Sequence, residues 1–167
     1  HRSECDPTPT KGCLPKTEDE VSDYLRNRLE PAIPQSVVNR EVQVVRLNTS
    51  GIGRRSDILV EVPSAGGGHR VLRVVIEVKG CWNEEVPTAL QEQLVARYLQ
   101  QWPDAAGLYL VAWFDPAHGS KKGTWLRDTN RNSLEALEPF LQQQATHAAE
   151  MGKHDVSAFV LDCSMPR

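Results

Sequence analysis

The sequence lacks the features that define several protein classes. No apolar run approaches the length of a membrane span and no secretory leader is visible, so we expect a cytoplasmic protein without a membrane partner. Its four cysteines form no CxxC pair, and no histidine lies at zinc-finger spacing from them, which argues against structural zinc. The net charge of −3 argues against a protein that coats DNA through bulk positive charge, although a local basic patch would still bind nucleic acid.

The length of 167 residues suits one compact domain. Residues 1–16 are rich in proline and polar residues without periodicity, and we interpret them as a flexible linker or arm. Residues 17–167 then form the folded domain. Because the sequence begins without Met, we expect further domains of a parent chain, and a homo-oligomer is left open.

Periodicity predicts an α/β fold with a mixed central sheet flanked by helices. Thr17 and Glu20 form a capping-box pattern at the start of the first helix, and Pro31 is expected to end it. A run of strands followed by helix crossovers is typical of mixed sheets. The predicted order is α-β-β-β-α-β-α-β, over residues 17–31, 41–48, 57–62, 70–79, 86–101, 107–114, 133–150 and 156–164.

The second and third predicted strands form a hairpin whose register is set by its glycine-rich turn. If the turn centres on Gly67, each residue before Gly67 faces the residue that lies the same number of positions after it. Asp57 then faces Glu77, and Glu61 faces Arg73. Like charges that face each other in a sheet are destabilising, but a divalent cation bound between two carboxylates makes the arrangement favourable. Two carboxylates with open water positions suit Mg²⁺.

Three further side chains extend this hypothesis. Lys79 lies two residues beyond Glu77 and shares its face, so its ammonium would hold or deprotonate a water or stabilise charge on phosphate. Glu18 would approach from the first helix and Gln93 from the second. The alternative interpretation is structural: solvated strand-end charges, a Glu18 that interacts only with the helix dipole, a surface Gln93, and a core aromatic at Tyr98.

Together these residues resemble the PD-(D/E)xK nuclease superfamily. The resemblance rests on Glu18, Asp57 after a glycine-containing turn, Ile76-Glu77-Val78-Lys79, and Gln93 with Tyr98. It implies a restriction-endonuclease-like αβββαβ core. Asp57 and Glu77 would be ligands of Mg²⁺, for which Mn²⁺ would substitute, with the Val78 carbonyl assisting. Lys79 would be the catalytic lysine and Glu18 an accessory ligand.

Two positions depart from the family pattern. Ser56 stands where the motif has proline, and Gln93 and Tyr98 are five residues apart rather than four. The segment Gly80-Cys81-Trp82-Asn83, with the later strand GLYLVAWF, also resembles nuclease domains of larger bacterial proteins, including NTPase-type antiviral defence proteins.

Basic residues mark the expected DNA contacts. The loop 118–132 holds four of them against one acid, and two more directly precede Ser56. An ordinary solvated loop is the alternative, and no base-reading motif is visible. The predicted phosphate contacts are Arg54, Arg55, Lys121, Lys122, Arg127 and Arg131.

The sequence therefore predicts a metal-dependent deoxyribonuclease that acts as an endonuclease domain of a larger protein. Two alternatives stay open at this point. One is a non-catalytic nucleic-acid-binding or assembly module of the same fold. The other is a nuclease directed at RNA.

Overall fold

The computed structural model describes residues 15–45, 54–64, 71–114, 133–152 and 154–164. Within these residues the order of helices and strands is the predicted one. The helices are α1 (Glu18–Ala32), α2 (Val86–Ala89), a π-helix (Leu90–Leu99) that continues α2, and α3 (Leu134–Gly152). The strands are β1 (Val37–Val45), β2 (Arg54–Pro63), β3 (Val71–Gly80), β4 (Ala106–Trp113) and β5 (Val156–Asp162).

The five described strands form one sheet in the order β1-β2-β3-β4-β5. β1, β2 and β3 pair antiparallel, whereas β3, β4 and β5 pair parallel. This is the arrangement expected when two short connections precede two helical crossovers. The α/β class with a mixed sheet flanked by helices is therefore confirmed, while the restriction-endonuclease-like core stays a prediction.

The register of the β2–β3 hairpin agrees with the sequence prediction. Ile58 pairs with Ile76, and Glu61 pairs with Arg73. The Arg73 Nε donates to Glu61 Oε1 over 2.8 Å, so the opposite-charge pair is formed. The paired residues of this hairpin end at Ile58 and Ile76, directly beside Asp57 and Glu77, at the end of the sheet where the site was expected.

The sheet buries both of its faces, and each face belongs to a separate core. α1 covers one face over β1–β3, where Val21 packs with Ile58 and Ile76. The π-helix and α3 cover the other, where Leu94 and Leu141 are fully buried. Alternation along β3 sends Val75, Glu77 and Lys79 toward the π-helix, so two charged side chains enter the core on this face of the sheet.

Three predicted boundaries were wrong, each for a local reason. β2 begins at Arg54, three residues before the predicted start, because Arg54 already pairs with Val45 of β1. Pro31 lies inside α1 rather than ending it, because the N–H of Ile33 still donates to the Leu29 carbonyl over 3.0 Å. β1 begins at Val37, four residues before the predicted start. Gln35, with φ of 62°, makes the turn that brings Val37 directly into register with Glu61.

The predicted α-helix over 86–101 was wrong in type beyond its first turn. From Leu90 to Leu99 the chain forms a π-helix, in which hydrogen bonds join residues five apart. The wider turn aligns residues at a spacing of five, as the α-helix aligns residues at four. Gln93 and Tyr98, five residues apart, are both buried on the face that packs against the sheet.

Several sequence predictions fall outside the described residues. Arg54 and Arg55 lie in β2, but the structure does not describe their side chains. Most of the predicted arm and the whole basic loop also lie outside the described residues. The affected positions are residues 1–14, Lys121, Lys122, Arg127 and Arg131. None of the described helices combines the length and apolar character that crossing a membrane requires.

The π-helix contributes to stability through Leu94, which is completely buried between the helix and the sheet. Leu94→Ala should lower the free energy of unfolding by about 2–5 kcal/mol, because it removes buried methyl groups and leaves a cavity. Leu72→Ala is the matched control: Leu72 is 62% exposed, and its loss should change stability by less than about 0.5 kcal/mol. Denaturant unfolding measures both, and equal effects would contradict this packing.

Candidate active site

The candidate site lies at the C-terminal end of β3, where charged side chains enter the π-helix face of the sheet. Glu77 is 2% exposed and Lys79 is 7% exposed. Both stand on the central strand of the sheet, and Lys79 contacts Gln93 of the π-helix that covers this face. Charges buried to this degree require partners, and the neighbouring elements supply them.

Asp57, on β2, is bound to the backbone of β3. The Val78 N–H donates to Asp57 Oδ2 over 2.7 Å. Burial raises the pKa of Asp57 above its ordinary value, although this hydrogen bond and the charge of Lys79 act in the opposite direction. Val78 thus supports the site through its N–H, while its side chain packs in the core beneath α1. The role of its carbonyl as a ligand stays a prediction.

Glu77 carries the most perturbed carboxyl group of the site. Burial first, and the neighbouring Asp57 second, raise the pKa of Glu77 to about 8, against the lowering effect of Lys79. Glu77 Oε1 forms an ion pair with Lys79 Nζ at 3.1 Å. Glu77 Oε2 is buried and has no hydrogen-bond partner among the described residues. This oxygen is therefore stabilised by binding a proton or a cation.

Lys79 connects the strand to the π-helix. Its Nζ lies 3.1 Å from Glu77 Oε1, 3.2 Å from Gln93 Oε1 and 3.3 Å from Glu85 Oε2. Burial opposes the charge of Lys79, but the surrounding carboxylates outweigh it and raise the pKa of Lys79 above its ordinary value. The ammonium form is thus the stable one. Gln93 contacts the lysine directly, so the interpretation of Gln93 as a surface residue was wrong.

Glu85 is a member of this network that sequence reasoning missed. Gln93 Nε2 donates to Glu85 Oε2 over 2.9 Å, and that hydrogen bond, followed by the charge of Lys79, lowers the pKa of Glu85. Its side chain is 59% exposed, in contrast to its two partners. Glu85 lies in the connection between β3 and α2, where no periodic pattern indicates a site residue.

The connection that carries Glu85 is fixed at two points. The buried Tyr109 hydroxyl donates to the Val86 carbonyl over 3.0 Å, and Gln144 Nε2 of α3 donates to the Pro87 carbonyl over 2.6 Å. Both contacts follow Glu85 immediately in the chain. The position of the Glu85 backbone is therefore set by the core rather than by its interaction with Lys79.

Glu18 reaches the site from α1, as the sequence predicted. Its Oε1 accepts from the Gly80 N–H over 2.8 Å and from Asn83 Nδ2 over 2.7 Å. The interpretation of Glu18 as an exposed charge that interacts only with the helix dipole was therefore wrong. The capping box that begins α1 is formed, with Glu20 accepting from the Thr17 N–H over 2.8 Å. This cap fixes where Glu18 enters.

The residues present suit a hard cation with few protein ligands. The Oε2 of Glu77, beside Asp57, has no hydrogen-bond partner in the described part of the chain, and a divalent ion would take the place of the proton that the raised pKa of Glu77 favours. Among the described residues, no group of three or more His, Cys, Asp and Glu side chains is arranged to hold a metal ion. Mg²⁺ commonly binds through only one or two carboxylates and keeps several waters.

The pKa of Glu77 implies a pH dependence of metal-free stability. Between the ordinary carboxyl range and about pH 8, folded Glu77 holds a proton that the unfolded chain has released. The free energy of unfolding in EDTA should therefore fall as pH rises through this window, by up to about 1.4 kcal/mol per pH unit. Glu77→Gln should flatten the profile, and Glu61→Gln is the control on the same face of the hairpin. A wild-type profile that rises from pH 5 to 8 would contradict the assignment.

Comparison with known proteins identifies no family for this chain. No family model, no curated protein and no solved structure matches it.

Proposed function

We propose that this chain is a metal-dependent nuclease domain of the PD-(D/E)xK type, which hydrolyses phosphodiester bonds in DNA. The observation that carries the proposal is the burial of Glu77 and Lys79 beside the partly buried Asp57, with one Glu77 oxygen that has no hydrogen-bond partner among the described residues. Perturbed titratable groups of this kind concentrate at functional sites.

Asp57, Glu77 and the Val78 carbonyl would hold Mg²⁺ or Mn²⁺, which when bound polarises a phosphate oxygen and lowers the pKa of a coordinated water. The protein already engages one oxygen of each carboxylate: Val78 N–H binds Asp57 Oδ2, and Lys79 binds Glu77 Oε1. These contacts fix the orientation of both groups. Glu18, held by Gly80 and Asn83, would act as an accessory ligand at the edge of the site.

Lys79 acts in this proposal as a cation rather than as a base. The raised pKa of Lys79, which its carboxylate neighbours maintain against burial, keeps the ammonium protonated at neutral pH. A fixed ammonium stabilises the negative charge that develops on a phosphate as its ester bond breaks. Of the two roles that the sequence left open, stabilising charge is favoured over deprotonating a water.

The loss of stability that these buried charges cause favours a catalytic role over a role in binding alone. Two carboxylates that share one buried lysine destabilise the metal-free protein, because burial and mutual repulsion both oppose ionisation. A module that only binds nucleic acid gains nothing from that cost. The basic residues Arg54 and Arg55 precede Asp57 in β2, in keeping with a phosphodiester backbone near the site.

The experiment is a cleavage assay on supercoiled plasmid, linear duplex, single-stranded DNA and RNA, with Mg²⁺, Mn²⁺ or EDTA. Wild type should cleave DNA only with metal. Asp57→Asn, Glu77→Gln and Lys79→Met should each reduce the rate by at least about 100-fold, since each removes a ligand or the fixed charge. Glu61→Gln is the control, because Glu61 shares the face of Asp57 but pairs with Arg73.

Two outcomes would contradict the proposal. Cleavage that persists in folded Asp57→Asn or Lys79→Met would show that these residues do not perform the chemistry. A wild-type protein that binds DNA but cleaves no substrate with either metal would favour the non-catalytic module. Preferential cleavage of RNA would retain the mechanism and change the substrate.

A further inference from the structure

The Lys79 ammonium has three N–H donors, and three acceptors surround it. They are Glu77 Oε1, Gln93 Oε1 and Glu85 Oε2, at 3.1, 3.2 and 3.3 Å. As the site stands, Lys79 therefore has no donor to spare for a substrate. A phosphate oxygen that is to receive this charge must first displace one of the three acceptors.

The three acceptors differ in how readily they leave. Glu77 and Gln93 are 2% and 8% exposed, so displacing either of them from Lys79 would leave a buried polar group without a hydrogen-bond partner. Glu85 has a side chain that is 59% exposed, so its carboxylate exchanges its contacts for water at little cost. It is also the most distant of the three. Glu85 is thus the acceptor that substrate would displace.

Glu85 Oε2 occupies a cradle made by two donors. Lys79 Nζ lies 3.3 Å and Gln93 Nε2 2.9 Å from this one oxygen, and both donors belong to buried residues of the sheet and the π-helix. An anionic oxygen that accepts from an ammonium and an amide has the same requirements as a non-bridging oxygen of a phosphodiester. Departure of Glu85 frees both donors at once.

We propose that Lys79 Nζ and Gln93 Nε2 form a phosphate-oxygen subsite, and that Glu85 occupies it as an internal competitor until a substrate phosphate displaces it. This inference rests on the proposed nuclease function. The tethering of the neighbouring backbone by Tyr109 and Gln144 supports it, because these contacts hold the backbone next to Glu85 in place independently of the Glu85 side chain. The carboxylate also prevents other anions from entering the subsite.

The first test uses inorganic phosphate as the probe, at pH 7 in EDTA. The side-chain amide signals of Gln93 report occupation of the subsite by NMR. Glu85→Ala should bind phosphate about two- to fivefold more tightly than wild type, the range expected when one exposed like charge is removed. Glu92→Ala removes the same charge from an exposed position beside Gln93 and should leave the phosphate affinity unchanged.

The second test separates competition from support by steady-state cleavage of DNA. Removing an internal competitor from the subsite lowers KM. Glu85→Ala should therefore show a KM about two- to fivefold below that of wild type, and Glu85→Gln a KM between the two. Because Glu85 is exposed and makes no side-chain cap to α2, both variants should fold. Circular dichroism verifies this before the kinetics are read.

The outcomes distinguish this inference from the proposed function. Unchanged phosphate affinity in Glu85→Ala, or weaker binding together with slower cleavage, would overturn the inference while the nuclease function stands. Tighter phosphate binding in a protein that cleaves no nucleic acid would support the subsite and overturn the nuclease function. Equal tightening in Glu92→Ala would reduce the effect to general charge removal and overturn the inference.

Discussion

The charge balance at the end of β3 is the constraint on which the rest of the site depends. Asp57, Glu77 and Glu85 all interact with one buried ammonium, that of Lys79, so the negative charges around it outnumber the positive one. The protein lessens this imbalance through the Val78 N–H at Asp57, and the pKa of Glu77 rises to about 8. The same imbalance favours the binding of a divalent cation, because Asp57 and Glu77 repel each other but both attract a cation bound between them.

Those parts of the site that depend on local pattern could be predicted from the sequence. Alternation in β2 and β3, together with one turn, sufficed for the register that the pair Ile58–Ile76 confirms. The capping box and the spacing of Val21 after Glu18 indicated which face of α1 the glutamate shares. Where one face of an element must be buried, a single register or rotation satisfies the pattern, and the sequence is then informative.

Other parts arise from tertiary contacts and carry no local signal. The π-helix is one example, since Leu90 and Leu94 fit an α-helical period and only the hydrogen bonds from Leu90 to Leu99 reveal the wider turn. On that turn Gln93 reaches Lys79, with its Oε1 3.2 Å from Lys79 Nζ. Glu85 is a second example: it lies outside any periodic element, and Lys79 and Gln93 meet it only in the folded chain.

The most direct measurement of the central claim is calorimetric titration with Mg²⁺ at pH 7, in two buffers of different ionisation enthalpy. If cation and proton compete for the same oxygen of Glu77, whose pKa is about 8, binding should release close to one proton per metal ion. That release should disappear in Glu77→Gln. Binding without proton release, an equal release in Glu77→Gln, or no binding at millimolar metal would contradict the account.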